Sequence, residues 1–157
     1  MYRLLSVAGI LVCAFMMAVC TADRSETDTA SIIALENAAL DRWDKGDVHG
    51  YLDLYADDIT YFSPGTQKRA DGIAVMRRLL EPIQGKTHIE RREMIGPAVQ
   101  RYGDTAILTY SLVDYVRSEA GDLEEKHWNS TAVYVRIKGQ WKIVHSHWSH
   151  PKEGSEP

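Results

Sequence analysis

Hydrophobic and polar residues alternate with two different periods along this chain, and the change between them falls near residue 87. Before that point apolar residues recur every three to four positions, which is the spacing of one face of a helix. This spacing predicts a first helix from about residue 30 to Lys45-Gly46, a short helix over Val48–Tyr55 and a third over Ile73–Leu80. A single predicted strand, Ile59–Ser63, interrupts them and ends at Pro64-Gly65.

After Thr87 the alternation has a period of two, which predicts strands over His88–Ile95, Thr105–Val116, Lys126–Ile137 and Gly139–Ser149. Val99–Tyr102 can continue the first of these beyond Gly96-Pro97, where proline cannot donate to a ladder and a bulge or bend is predicted. The second strand is apolar on both faces, so helices are expected to cover one face and a partner subunit the other. Helices followed by antiparallel strands predict the α+β class, with a strongly curved sheet wrapped round the helices as a cone-shaped barrel.

The last predicted strand carries the strongest candidate site. Side chains two residues apart share a face of a strand. The residues predicted to lie on one face are Trp141, Ile143, His145, His147 and Ser149. This face begins apolar and ends polar, which predicts a core that opens into a pocket. Trp148 falls on the opposite face, where it is expected to contact a partner subunit or to cover the sheet edge.

The N-terminus differs from the rest of the chain. Leu4 to Val19 is almost wholly apolar, follows one positive charge and precedes the small residues Cys20-Thr21-Ala22. This pattern predicts a cleaved signal peptide over residues 1–22, a secreted or periplasmic location and no membrane association after cleavage. An uncleaved membrane anchor and a lipid-anchored cysteine are the alternatives. Residues 23–29 are then a polar tether, 30–150 the folded domain and 151–157 a flexible tail.

Composition narrows the function classes. The chain has 157 residues, enough for one domain with its own core. Its net charge is -4 and its basic residues are scattered, which argues against a nucleic-acid-binding surface. Both cysteines, Cys13 and Cys20, lie in the predicted signal peptide, so the mature chain is expected to have neither a disulfide nor a thiol nucleophile.

Four stretches of the chain resemble the nuclear transport factor 2-like superfamily. They are Trp43-Asp-Lys-Gly-Asp47, Leu54-Tyr-Ala-Asp-Asp-Ile-Thr-Tyr-Phe-Ser-Pro64, Asp71-Gly72 and Gly139-Gln-Trp-Lys-Ile-Val-His-Ser-His-Trp-Ser149. This superfamily includes ketosteroid isomerase, SnoaL-like polyketide cyclases and the association domain of calcium/calmodulin-dependent kinase II, which the last stretch resembles most. The resemblance covers about residues 30–150 and implies a cone-shaped fold, a pocket between the first helix and the sheet, and a homodimer through the outer sheet face.

The catalytic positions of ketosteroid isomerase are not reproduced in this chain. The resemblance places Ser63 at the position of that enzyme's general base, and a hydroxyl without a partner is no base near neutral pH. It places Ala39 at the position of the oxyanion-hole tyrosine, and residues 129–131 near the second oxyanion acid. In the kinase association domain the position of Ser63 is a glutamate. The family fold is therefore implied without its isomerase machinery.

His145, His147 and Asp114 are the candidate catalytic residues. Imidazole titrates near neutrality and suits a general base, and Asp114 at the end of the facing strand can orient it or can be a solvated carboxylate. His127 on the neighbouring strand would complete a three-histidine set, but no carboxylate in obvious register joins it, so no metal or cofactor is expected. Arg91 or Glu93 would add a pocket charge if either points inward.

The candidate ligand-binding residues combine an apolar surface with a polar group. They are Tyr61, Ser63, Tyr110, His127, Asn129 and Trp43. The two tyrosines can equally be core residues with satisfied hydroxyls, and the tryptophan can be core. Three functions stay open: an exported domain that binds a small organic molecule, a cofactor-free SnoaL- or isomerase-type enzyme with a pocket histidine as base, and a non-catalytic oligomerisation module.

Overall fold

A computed structural model describes residues 26–152 of the chain. The predicted signal peptide and the last five residues of the predicted tail lie outside the described residues. Of the two units into which the chain divides, the first ends at Ser31 and the second begins at Ile32. Residues 26–29 are helical, whereas the sequence pattern assigned them to a tether. Within residues 26–152 no helix is both long and apolar enough to cross a membrane.

Within the second unit, helical segments cover one face of a sheet. Helix α1 occupies residues 26–43, α2 His49–Leu52, α3 Ile73–Leu80 and the 3-10 helix Glu81–Ile83. The predicted bounds of α3 are confirmed. Helix α2 is shorter than predicted because the next strand already begins at Tyr55. The buried residues of α1 within the second unit recur at helical spacing, namely Ile32, Glu36, Ala39 and Leu40.

Six strands form a curled, open sheet. They are β1 Tyr55–Phe62, β2 Ala70–Asp71, β3 Arg91–Tyr102, β4 Thr105–Arg117, β5 Leu123–Ile137 and β6 Gln140–Ser149. The strand order is β2-β1-β6-β5-β4-β3, and every pair is antiparallel except β1 with β6. The predicted α+β class is confirmed. The described core of the second unit lies between the helices and the inner, concave face of the sheet, where Leu108, Tyr134 and Ile143 are fully buried.

Two irregularities interrupt the antiparallel ladders. The pairing of β3 with β4 shifts between Ile95 and Ala98, as Gly96-Pro97 predicted, and Gly96 has a φ of 59° that suits glycine. The pairing of β5 with β6 shifts as well, because Val133 lies opposite His145 while its neighbour Tyr134 lies opposite Ile143. One extra residue of β6 therefore stands at this bulge, and an extra residue exchanges the two faces of a strand beyond it.

The bulge in β6 decides which residues face inward at its end. Trp141 and Ile143 are buried before the bulge, and Ser146 is buried after it. The prediction that His145 and His147 continue the face of Trp141 is therefore wrong, since both lie on the other face. The prediction assumed that side chains alternate between the two faces without interruption along this strand.

Candidate functional site

A cavity of about 390 Å³ opens between the helices and the concave face of the sheet. It is bounded by the end of α1, by α2 and α3, by the turn after β1 and by the ends of β4, β5 and β6. Its aromatic lining consists of Trp43, Tyr51, Tyr55, Tyr61, Trp128 and Trp148. The polar side chains in the lining, apart from tyrosine hydroxyls and indole N–H groups, are Ser63, Thr66, Asp114 and His150. The cavity is thus mostly apolar, with a few polar groups, as small-molecule sites are.

Behind the aromatic lining of the cavity, three tyrosine hydroxyls bind a buried carboxyl group. Glu36 of α1 is 1% exposed, and its Oε1 accepts hydrogen bonds from the Tyr51 hydroxyl at 2.9 Å and the Tyr110 hydroxyl at 2.6 Å. The Tyr134 hydroxyl donates to Oε2. Burial, and secondarily the charge of Glu36, raise the pKa of each of these tyrosines well above its usual range, so the hydroxyls stay protonated donors. The four side chains tie α1 and α2 to β4 and β5.

Asp114 is the buried acid of the cavity itself. The side chain is 7% exposed, and its Oδ1 is buried without a hydrogen-bond partner among the described residues. Burial, assisted by the nearby charge of Asp44, raises the pKa of Asp114 to about 6. The Trp128 indole partly offsets this, although its Nε1 is also buried and stands outside hydrogen-bonding geometry. A carboxyl group in this state can accept a proton from a bound molecule or pair with its positive charge.

Arg92 is the inward-pointing charge of β3. Its guanidinium donates to Asp41 at 2.6 Å, to the carbonyl oxygen of Asn37 at 3.2 Å and to Asp44. Arg92 lies opposite Asp114 in the ladder, yet its hydrogen bonds run to α1. Burial raises the pKa of Asp44, and Arg92 counteracts that effect. Two of the three carboxyl groups near this guanidinium therefore receive its hydrogen bonds, and Asp114 is left without one.

Arg91 and Glu93 point away from this cluster. They form an ion pair with each other, and the Arg91 guanidinium lies 3.8 Å from the centre of the Tyr115 ring. Alternation along β3 places both on the face opposite Arg92. Neither Arg91 nor Glu93 therefore supplies a charge to the cavity, and Arg92, although it points inward, is bound to α1 and the residue after it and is not part of the cavity lining.

The indoles of Trp128 and Trp148 form one end of the cavity. Their ring planes are nearly perpendicular at 86°, with centroids 6.2 Å apart, and Trp148 also meets the Tyr110 ring edge-on at 5.9 Å. The His150 ring packs on Trp128 at 4.1 Å, and its Nδ1 lies 3.0 Å from the carbonyl oxygen of His127. The expectation that Trp148 lies on the face opposite the pocket is wrong, because the β6 bulge turns it inward.

Four of the residues expected from sequence line the cavity, namely Trp43, Tyr61, Ser63 and Asp114. Burial raises the pKa of Tyr61, and the Ser63 hydroxyl counteracts this. Tyr110 is inward and buried, but its hydroxyl is bound to Glu36 and it does not belong to the cavity lining. The core interpretation of Tyr110 therefore fits the structure, and the ligand-binding interpretation does not.

His145 and His147 lie at a second depression, beside Phe62, whose lining overlaps that of the cavity around Trp148. His145 Nδ1 is 2.8 Å from the Thr60 hydroxyl, and burial together with the charge of His147 lowers the pKa of His145. Asp114 lines the cavity on the other face of the sheet, so the structure does not bring these three residues together as a base and its orienting group. Among the described residues, no three His, Cys, Asp or Glu side chains are grouped to hold a metal ion.

His127 and Asn129 also point outward, contrary to expectation. On β5 the buried residues are Ser130, Ala132 and Tyr134, so the odd-numbered positions face the other way. The ring of His127 is 3.2 Å from the Glu125 carboxylate, and Asn129 accepts a hydrogen bond from Ser111. Neither residue contributes to the cavity.

Sequence reasoning missed Glu36, Trp128, Trp148 and His150 as site residues. A signal for Glu36 was present, because it lies four residues from both Ile32 and Leu40 on the apolar face of a helix. An acidic residue at such a position is buried and needs partners. No comparable local signal marked Trp148, since its face depends on the bulge.

Residues 28–151 match the family model of the calcium/calmodulin dependent protein kinase II association domain. Among curated proteins, none matches. A candidate ketosteroid isomerase from Parabacteroides distasonis has a similar structure, with 32% identity, 78% of this chain and 86% of that chain covered, and a TM-score of 0.68.

Two further structures are similar in fold. The association domain of C. elegans CaMKII is 22% identical, with 81% of this chain and 98% of that chain covered and a TM-score of 0.71. An NTF2-like protein of unknown function from Pseudomonas putida is 23% identical, with 82% of this chain and 90% of that chain covered and a TM-score of 0.70. At these identities the likeness concerns the fold alone, which agrees with the cone-shaped α+β fold implied by the sequence motifs.

Proposed function

The chain belongs to the calcium/calmodulin-dependent protein kinase II association domain family, and we propose that its cavity binds a small, partly apolar organic molecule. The observation that carries this proposal is the cavity itself, which combines six aromatic side chains with one buried, unpaired carboxyl group. Its volume of about 390 Å³ lies within the range of small-molecule sites. A core without a ligand role would be expected to close such a space.

A neutral aromatic probe tests this function. We expect 2-naphthol to bind the wild-type protein with a Kd on the order of 0.1 mM in isothermal titration calorimetry, as its size allows. Trp148→Leu should weaken binding about tenfold, because it removes one aromatic wall of the cavity. His147→Ala is the matched control, since this exposed ring lies on the same strand outside the cavity.

The outcome that contradicts the proposal is equally definite. If the wild-type protein does not bind 2-naphthol, or if Trp148→Leu and His147→Ala bind it equally well, the cavity is not the binding site. Thermal melts of both variants must match the wild-type melt in cooperativity, so that loss of fold is not read as loss of binding.

Self-association is the second function, and we propose that it uses the outer face of the sheet. The outer face carries Ile107 and Val133, which are paired across β4 and β5 and are each half-buried. Ile95 on β3 is 50% exposed. A surface of this kind, mixed with the hydroxyls of Thr109 and Ser111, suits contact with a second copy. The family name and the similar association domain support homo-oligomerisation.

Light scattering tests the association. We expect the wild-type protein to have at least twice the mass of one chain, and Val133→Asp to reduce it to a single chain by placing a charge at the centre of the contact. Ala120→Asp adds the same charge in the exposed turn between β4 and β5 and should leave the mass unchanged. A monomeric wild type, or an unchanged mass in Val133→Asp, would refute use of this face.

A further inference from the structure

We infer that the cavity is built for an organic cation, a protonated or quaternary amine on a small apolar body, with its positive group held between Asp114 and the indoles of Trp128 and Trp148. Because it names the ligand class of the same cavity, this inference rests on the function proposed above. Three independent features support it: the unpaired acid, the absence of a cationic side chain from the described lining, and the arrangement of the aromatic faces.

The acid lacks the counter-charge that its burial requires. An ionised carboxylate out of water is costly unless a cation or several hydrogen bonds compensate it. Arg92 lies opposite Asp114 in the ladder and acts on its charge, but its donors are engaged by Asp41, Asp44 and the Asn37 carbonyl. Asp44 also has a buried Oδ1 without a hydrogen-bond partner among the described residues. The carboxyl groups of Asp41, Asp44 and Asp114 thus share the single guanidinium of Arg92. The side of this group that faces the cavity therefore has an excess of negative charge.

No described side chain of the lining can neutralise this excess permanently. The lining contains neither lysine nor arginine, and His150 is its one imidazole. Lys126 lies opposite Asp114 in the ladder but is exposed, and its influence on Asp114 is smaller than that of Asp44 or Arg92. An anionic ligand would meet the unpaired carboxylate with no cation to hold it. A positively charged ligand would supply the missing counter-charge.

The aromatic faces next to the acid suit the same group. Leu112 is the ladder partner of Trp128, and Asp114 follows two residues later on the same face of β4, so the acid and this indole are diagonal neighbours. Trp148 stands nearly perpendicular to Trp128 and closes a corner. The electron-rich faces of indoles attract ammonium groups within about 6 Å, most strongly when the group is desolvated. A corner of two indoles with a carboxylate is a site for a positively charged nitrogen.

A matched set of three probes tests the charge of the ligand. Benzyltrimethylammonium and neopentylbenzene have nearly the same shape and differ by one positive charge, and benzylsulfonate carries a negative charge. At pH 8 we expect the cation to bind the wild-type protein about tenfold or more tightly than its neutral isostere, and the anion not to bind. Asp114→Asn should abolish the preference for the cation while it keeps the neutral probe. Asp58→Asn, which removes an exposed carboxylate of β1, should keep the preference.

Lowering the pH gives a second readout on the wild-type protein. Protonation of Asp114 below about pH 6 should remove the advantage of the cation and leave neopentylbenzene binding unchanged. The charged and titratable groups that face Asp114 are Asp44 at the end of α1, Arg92 on β3, Lys126 on β5 and His150 beyond β6. Protonation of Asp44 would act in the same direction as protonation of Asp114, and Asp114→Asn separates its contribution.

The possible outcomes separate the two proposals. Tighter binding of the cation that depends on Asp114 supports the inference. Equal binding of the cation and its isostere, or tighter binding of the sulfonate, overturns it and leaves the ligand-binding function intact. If neither 2-naphthol nor any of the three charged and neutral probes binds, the proposed function fails together with the inference.

Discussion

Replacement of Asp114 by asparagine is expected to stabilise the protein at pH 8 by up to about 3 kcal/mol, and to have no such effect near pH 4. The side chain is buried at 7% exposure, and burial raises its pKa from 3.8 to about 6. A difference of about two pKa units corresponds to roughly 3 kcal/mol between the protonated and ionised states. The carboxylate is therefore a destabilising group whenever it is ionised in the folded protein.

The direction of this pH dependence of stability follows from the number of protons that the folded and unfolded chains bind. Between pH 3.8 and about 6 the folded protein binds a proton at Asp114 that the unfolded chain has lost. The stability contributed by the protonated acid is complete below pH 3.8 and is lost as the pH rises through about 6. Asparagine cannot ionise, so the variant escapes this loss. Retention of a costly ionised acid in a cavity is the pattern expected of a binding group rather than a structural one.

Urea denaturation at several pH values measures this effect. The free-energy difference between Asp114→Asn and the wild type should grow from about zero at pH 4 to its full value at pH 8, which corresponds to a rise in Tm of roughly 6–10 °C. Asp58→Asn, on the exposed side of β1, should show no such pH-dependent gain. A variant that is less stable than the wild type at pH 8 would show that Asp114 has a compensating partner, and the organic-cation proposal would lose its basis.

The elements of the fold were predictable because they depend on local pattern. The bounds of α3, the start of β4 and the irregularity at Gly96-Pro97 all follow from residues within a few positions of one another. The position of the cavity was implied by the family resemblance, and Trp43, Tyr61, Ser63 and Asp114 do line it. Local periodicity and a known fold thus account for the architecture and part of the lining.

The orientation of side chains near the ends of β5 and β6 was not predictable from alternation alone. A bulge is a property of two paired strands, and the one beside Val133 leaves no glycine or proline in β6 to mark it. One extra residue exchanged His145 and His147 for Ser146 and Trp148 on the inner face. Because alternation ignores this one residue, the sequence prediction placed the two candidate catalytic histidines on the wrong face of the sheet.

Replacement of Glu36 by leucine is expected to destabilise the protein by roughly 4 kcal/mol. The carboxyl oxygens accept hydrogen bonds from the hydroxyls of Tyr51, Tyr110 and Tyr134. A buried donor left without an acceptor costs about 1–3 kcal/mol. All three tyrosines are buried, so their hydroxyl donors share this cost. Leucine fills most of the vacated volume, so lost packing contributes little.

Tyrosine-to-phenylalanine changes at Tyr110 and Tyr134 give this prediction its sharpest test. In the wild type, Tyr110→Phe should destabilise by about 1–2 kcal/mol, since Glu36 loses a donor. In the Glu36→Leu background the same change should stabilise, because it removes an unsatisfied hydroxyl, and adding Tyr134→Phe should stabilise further. This reversal of sign, measured by urea denaturation in a double-mutant cycle, is specific to a shared hydrogen-bond network.

Glu93→Leu is the matched surface control and should change the stability by less than about 0.5 kcal/mol, because its ion pair with Arg91 is exposed. If Tyr110→Phe destabilises the wild type and the Glu36→Leu variant equally, the tyrosines do not depend on Glu36 for their hydrogen bonds. The cavity would then be held open by packing alone. If the sign reverses, the three tyrosines and the glutamate act as one polar unit that fixes α1 and α2 against the sheet, and the aromatic wall that Tyr51 presents to the cavity is positioned from behind by a buried acid.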